Sequence, residues 1–205
     1  MVNKETIENT EARILESARE VFLKKGMSGA RMQDIANAAG INKALLHYYF
    51  RSKEKLFERI FQEAARELFP QLDAIFNSEA SIFEKIERFC VVYIDIVKQN
   101  PFLPMFILNE IHQDEQGFFE NYWNKGRQPR PQKFLKELEV AVQRGEIRKV
   151  PPIQLLMHLI SMTLFPFVAR PLLQKTMGIP TEKFIQLMED RKIEIPQFII
   201  SAIKL

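Results

Sequence analysis

The sequence predicts an all-α protein, and three observations carry that reading. Between short breaks, apolar residues recur every three or four positions, the spacing of one helix face. No stretch alternates strictly between apolar and polar residues, and no Asn-Gly pair marks a hairpin turn. The seven glycines are thinly spread, at 26, 29, 40, 117, 126, 145 and 178, and most of the eleven prolines lie beside them or in other short breaks. With 205 residues, 46% of them apolar and 27% charged, the chain has ordinary globular composition. It is long enough for one moderate domain, or for a small domain joined to a larger one.

The first helix is expected over about 10–25. Ile14, Leu15, Ala18, Val21 and Phe22 form its apolar stripe, Lys24 and Lys25 suit the negative end of its dipole, and Gly26 ends it. A short helix over about 32–39 turns Met32, Ile35, Ala36 and Ala39 inward, and a third spans about 42–50. Ser52 caps a fourth, which runs through Leu56, Phe57, Ile60, Phe61, Ala64 and Leu68; Pro70 gives it no clear end. Longer helices follow over about 81–99, 102–112, 116–124 continuing over 131–144, then 152–176 and 181–203. Gln128–Pro131 is the strongest internal break. Pro166 should kink the helix over 152–176, and Pro196 should kink or split the last.

The positive charge is local. Residues 12–60 hold ten Lys/Arg against five Asp/Glu, whereas 61–205 hold eighteen of each. A basic N-terminal segment suits a polyanion such as nucleic acid or a membrane surface, although an ordinary solvated face has the same composition. Cys90 is the single cysteine, which excludes an intramolecular disulfide and a Cys-rich zinc site and fits a reducing compartment. The first ten residues are polar and lack a signal-peptide pattern, so a cytoplasmic location is expected. Leu155–Ala169 is the longest apolar stretch; it is shorter than the ~20 residues of a membrane span and carries His158, Ser161, Thr163 and Pro166. No membrane partner is expected. No Gly-rich phosphate loop, Gly-x-Ser-x-Gly elbow or metal-ligand spacing occurs, so no enzyme activity, no cofactor and no metal is expected. His112, Asp114 and Glu115 lack the i, i+4 spacing of helical metal ligands.

Function concentrates in residues 31–50. Two helices of about two turns meet at Ala39-Gly40-Ile41-Asn42, a helix-turn-helix pattern. Gly40 suits the left-handed position after the first helix, and Asn42 can cap the second. Ile35, Ile41, Leu46 and Phe50 form the seam. The outward face of the second helix then carries Lys43, Ala44, His47 and Tyr48, the mixture a major-groove helix needs. Arg51, Lys53 and Lys55 follow where phosphates would lie.

Residues 10–57 resemble the DNA-binding domain of the TetR family of bacterial transcriptional regulators. The resemblance rests on Ile14-Leu-Glu-Ser-Ala-Arg-Glu-Val-Phe22, Gly26, Asp34-Ile-Ala-Asn-Ala-Ala-Gly-Ile41, Lys43 and Tyr48-Tyr-Phe-Arg-Ser-Lys-Glu-Lys-Leu-Phe57. Gly145-Glu-Ile-Arg148 is similar to a turn that family members often carry before their penultimate long helix. The resemblance implies a helix-turn-helix domain over 8–68, an effector-binding and dimerisation domain over 69–205, a double-stranded operator, and a homodimer released by a small, largely apolar effector. It implies DNA contacts by Arg31, Asn42, Lys43, Ala44, Leu45, His47, Tyr48, Tyr49 and Lys53. The sequence departs from the family at Ala30 and Arg31, where Thr or Ser usually precedes the second helix, so Arg31 is expected to take over that phosphate contact. His47 stands where a DNA-contacting Tyr often stands, and Leu45 replaces a polar contact and can meet a thymine methyl.

The remainder is rich in Phe and Met. Phe102, Met105, Phe106, Trp123, His158, Met162 and Phe165 are candidate lining for an effector pocket, though core packing explains the same pattern. The last two long helices are expected to form a four-helix dimer interface, with Leu155, Leu156, Leu159, Phe184, Phe198, Ile199 and Ile203 contributing. Cys90, between Phe89 and Val91, reads as a small core hydrophobe rather than a redox sensor. The competing class is a helical interaction or nucleoid-associated protein without a small effector.

Overall fold

The structure, a computed structural model, describes residues 4–124 and 128–205. Among these it forms α-helices and no strand. They are α1 (Lys4–Gly29), α2 (Met32–Ala38), α3 (Lys43–Tyr49), α4 (Lys53–Asn77), α5 (Ile82–Gln99), α6 (Leu103–Gln113), α7 (Glu115–Phe118), α8 (Gln132–Gln143), α9 (Pro152–Val168), α10 (Arg170–Met177) and α11 (Thr181–Ile203); α7 runs into a π-helical turn, Phe119–Trp123. Gly26, at φ 66° and ψ 170°, interrupts α1 where the sequence placed its end.

The apolar stripes sort into two clusters. Ile14, Ala18 and Phe22 of α1, Ile35 and Ala36 of α2, Leu46 of α3 and the first half of α4 (Leu56, Phe57, Ile60, Phe61) form one. Leu103 and Phe106 of α6 and Phe118 of α7 complete it. The second joins Leu72, Ile75 and Phe76, from the other half of α4, to α5, α8, α9 and α11 through Phe89, Cys90, Ile94, Phe134, Leu138, Leu159, Phe184 and Ile199. At 25 residues, α4 spans roughly 37 Å and is shared by both.

The prolines behave differently from one another. Pro70 lies inside α4 on its exposed side, and the helix continues past it to Asn77. The helix expected over 152–176 is two helices: α9 ends at Val168 and α10 leaves it at 70°. Pro166 stays within α9; the break falls before Pro171, which sits in the first turn of α10 and has no N–H to offer the preceding turn. Pro196 is buried inside α11, which remains one helix. No single described helix is long and apolar enough to cross a membrane.

Polar side chains pin the clusters together. Arg19 of α1 donates from Nε to Asn100 Oδ1 (3.1 Å) and from Nη2 to Glu63 of α4 (2.7 Å). Asn100 is buried at the sharp corner between α5 and α6. Lys85 of α5 is buried entirely; its ammonium meets Glu137 of α8 and the Phe76 carbonyl at 3.4 Å. Across the far side, Lys192 of α11 pairs with Asp95 of α5 and with Glu189 at 2.6 Å.

Two measurements test this core. Glu137→Gln leaves the Lys85 ammonium buried with a weaker partner and should cost about 1–3 kcal/mol in urea unfolding, part of the full cost being relieved by solvent at Glu137. Lys85→Met, which removes the charge itself, should be neutral or stabilising. Cys90 is fully buried and burial pushes its thiol up to about 12. A thiol reagent should therefore leave Cys90 of the folded protein unmodified through pH 8–9, where a free thiol becomes thiolate, and should react on unfolding.

Candidate functional site

The turn between α2 and α3 is closed by local hydrogen bonds. Ile41 N–H donates to the Ala36 carbonyl (3.0 Å) and Gly40 N–H to that of Asn37 (3.2 Å), the paired bonds of a Schellman ending. Gly40 has φ 62°, a left-handed backbone that a side chain resists. Asn42 Oδ1 then accepts the Leu45 N–H at 2.8 Å and starts α3. Leu46 is buried against α1 and α2, and this sets the rotation of α3. The opposite face is left to solvent.

That face carries most of the residues the sequence singled out. Arg31, Asn42, Lys43, Ala44, Leu45, His47 and Tyr48 are exposed, Tyr48 to 80%. Tyr49 is half-buried and presents its ring edgewise to Tyr48, with centroids 5.5 Å apart. His47 Nδ1 lies 3.1 Å from the Arg51 carbonyl. A carbonyl only accepts, so the bond requires the proton on Nδ1 and leaves Nε2 as the ring's free nitrogen.

Lys53, expected at a phosphate, has a partner within the chain. It is half-buried, and Nζ donates to the Met27 carbonyl at 3.0 Å, tying the start of α4 to the end of α1. The start of α2 shows what replaces the missing hydroxyl cap. The Asp34 carboxylate accepts the Arg31 N–H (3.2 Å) and pairs with Lys25 (2.9 Å). The Lys25 hydrogen bond, with the Arg31 N–H adding to it, holds the Asp34 carboxyl below the ordinary carboxylate range. The Lys25–Asp34 pair spans nine positions across the Gly26 break, so a reading of local caps did not find it.

Behind this unit lies a partly open cavity of about 370 Å³ between α4, α5, α6 and α9. Phe69, Leu72 and Phe76 of α4, Tyr93 of α5, Ile107 of α6, Trp123 and Leu156 are among its walls. Of the seven residues read as a pocket, Trp123 alone lines it. Phe102 and Phe106 pack against Phe22 and Phe57 in the first cluster, because α6 turns that face toward α1 and α4. Met105 is exposed. His158, Met162 and Phe165 lie on the outer side of α9, beside α11 and α10.

The residues read as a dimer interface also divide. Leu155, Leu159, Phe184, Ile199 and Ile203 are buried within the single chain, and Leu156 faces the cavity; only Phe198 stays exposed, at 63%. Both sides of α9 and α11 carry apolar residues, and the side the periodicity picked out packs within the chain. The outward side holds Met157, Ser161 and Phe165 of α9 with Phe198 and Ala202 of α11. No group of three or more His, Cys, Asp or Glu among the described residues is placed to hold a metal.

Comparison with known proteins places this arrangement. Residues 14–60 match the family model described as bacterial regulatory proteins, tetR family. The transcriptional repressor NicS of Pseudomonas putida is 31% identical over 114 residues, which is 55% of this chain and 53% of NicS. The transcriptional repressor KstR2 of Mycolicibacterium smegmatis is 27% identical over 117 residues, 50% of this chain and 57% of that protein. The chain thus spans little more than half the length of these two relatives. The solved structure of the ketosteroid transcriptional regulator KstR2 of Mycobacterium tuberculosis covers 100% of this chain and 97% of its own, with a TM-score of 0.69 at 16% identity, a likeness of fold.

Asn42 serves as a cap whatever else it touches, and substitution can isolate that role. Asn42→Ala should cost about 1 kcal/mol of stability in urea unfolding, whereas Asn42→Ser, which keeps an acceptor, should cost less.

Proposed function

We propose that this chain, whose residues 14–60 match the tetR family model, is a sequence-specific DNA-binding repressor of that family, cytoplasmic and homodimeric, released from its operator by a small apolar molecule. The observation that carries this reading is the course of α4. Its first turn adjoins the exposed α3 face through Ser52 and Lys53, and its second half walls the cavity through Phe69, Leu72 and Phe76. A ligand that fits one setting of those walls better favours the matching position of α4 and, through it, of α3. Ligand and operator then oppose each other by one reciprocal coupling energy.

Each α3 would enter a major groove N-terminus first. Lys43 would neutralise phosphate, while Leu45, His47 and Tyr48 would face base edges and sugars. A second copy would cover the outward side of α9 and α11, where Met157, Phe165 and Phe198 are otherwise large apolar groups in water. Two recognition helices would then stand roughly 34 Å apart on a near-palindromic site.

Selection of bound duplexes from a random pool at near-physiological salt tests the reading. An enriched palindrome is expected; salt-sensitive binding without enrichment would instead favour a nucleoid-associated role. On the selected site, Lys43→Ala should weaken specific and nonspecific DNA alike and reduce the salt slope by about 1. His47→Ala should change the preferred base at one position per half-site, and equal weakening on all sequences would remove His47 from base reading.

A further inference from the structure

We infer that the cavity takes an uncharged, largely hydrocarbon molecule bearing one hydroxyl or carbonyl oxygen, and that the Tyr93 hydroxyl anchors that oxygen. The inference deepens the effector reading above and rests on it. Two independent observations carry it.

The first is the chemistry of the walls. Among the described residues, the side chains that line the cavity are, apart from Tyr93, those of Phe, Leu, Ile, Val, Ala, Pro and the single Trp; none of these carries a charge. A carboxylate, phosphate or ammonium entering here would lose its water and find no opposite charge among these described residues. Binding must therefore come from apolar contact, and the ligand must be neutral.

The second is the state of Tyr93 itself. It lies on α5, its ring stacked on Phe89 at 5.4 Å between centroids, and Phe89 in turn lies 5.9 Å from Phe76. The rings fix where the hydroxyl sits. That hydroxyl makes no hydrogen bond to any described residue, and Tyr93 is partly exposed where it lines the cavity, so the hydroxyl is open to a partner from outside the chain. Burial pushes the phenol up to about 12, so it stays protonated and can both donate and accept. An oxygen on the ligand satisfies it. The indole of Trp123, 5.0 Å from the Phe69 ring, supplies the other polar group of the wall, and its place there makes its emission a reporter of occupancy.

The test uses the full chain and four matched probes: cyclohexylbenzene, 4-cyclohexylphenol, 4-cyclohexylbenzoate and 4-cyclohexylbenzylammonium, titrated against Trp123 emission. The wild type should bind the phenol roughly 3–10-fold more tightly than the hydrocarbon, as one neutral hydrogen bond allows. The two ions should bind at least about 30-fold more weakly than the phenol. Tyr93→Phe should keep its affinity for the hydrocarbon within about twofold, lose the preference for the phenol, and melt no lower than the wild type, since its hydroxyl has no structural partner. Tight binding of either ion, or a phenol preference that survives Tyr93→Phe, overturns the inference and leaves the effector reading standing. Failure of all four probes to bind overturns both.

Discussion

Helix α4 enters one hydrophobic cluster with Leu56, Phe57, Ile60 and Phe61 and leaves through another with Leu72, Ile75 and Phe76. A hydrogen-bonded helix resists bending, so a displacement at one end reaches the other or is absorbed at a weak point. Pro70 is that point. It removes one hydrogen bond of the ladder between the two buried halves, on the exposed side where water can replace it. The rest of the chain is arranged around this rod: α1, α2 and α3 at its start, with α6 and α7 packed on its first half, and α5, α8 and α9 toward its end.

Apolar packing, more than charge, makes the seam between the two clusters firm. Phe22, Phe57, Phe102 and Phe106 form a knot of rings contributed by α1, α4 and the start of α6. Burying each ring is worth about 1.5–3 kcal/mol. The Arg19 bonds to Asn100 and Glu63 lie partly in solvent, and such pairs are worth about 1 kcal/mol or less each. The rings therefore supply the strength. Arg19 supplies direction, because its two donors fix α1 against α4 and against the α5–α6 corner at once.

Local chemistry was the legible part of this protein. Gly26, Gly40, Asn42 and Ser52 end or begin helices through bonds that reach three to five residues, and the sequence displays them openly. What depends on distant partners was hidden. Phe102 and Phe106 read as pocket lining because nothing in their spacing says which of two clusters α6 faces. Leu155 and Leu159 read as interface because α9 is apolar on both sides. Lys53 read as a phosphate ligand because its reach back to Met27 spans 26 positions. Tyr93 drew no notice, since a tyrosine in an apolar stripe looks like core; only the surrounding walls reveal an unpaired hydroxyl.

The contribution of α6 and α7 to the first cluster bears on how the chain can be divided. A fragment ending near residue 68 retains the whole helix-turn-helix motif, yet it loses Leu103, Phe106 and Phe118, which cover Phe57 and Phe61. The cut surface would be a patch of bare aromatic rings, prone to self-association. In this chain the motif is not packed as a portable module: its last layer of packing is borrowed from residues more than thirty positions beyond it.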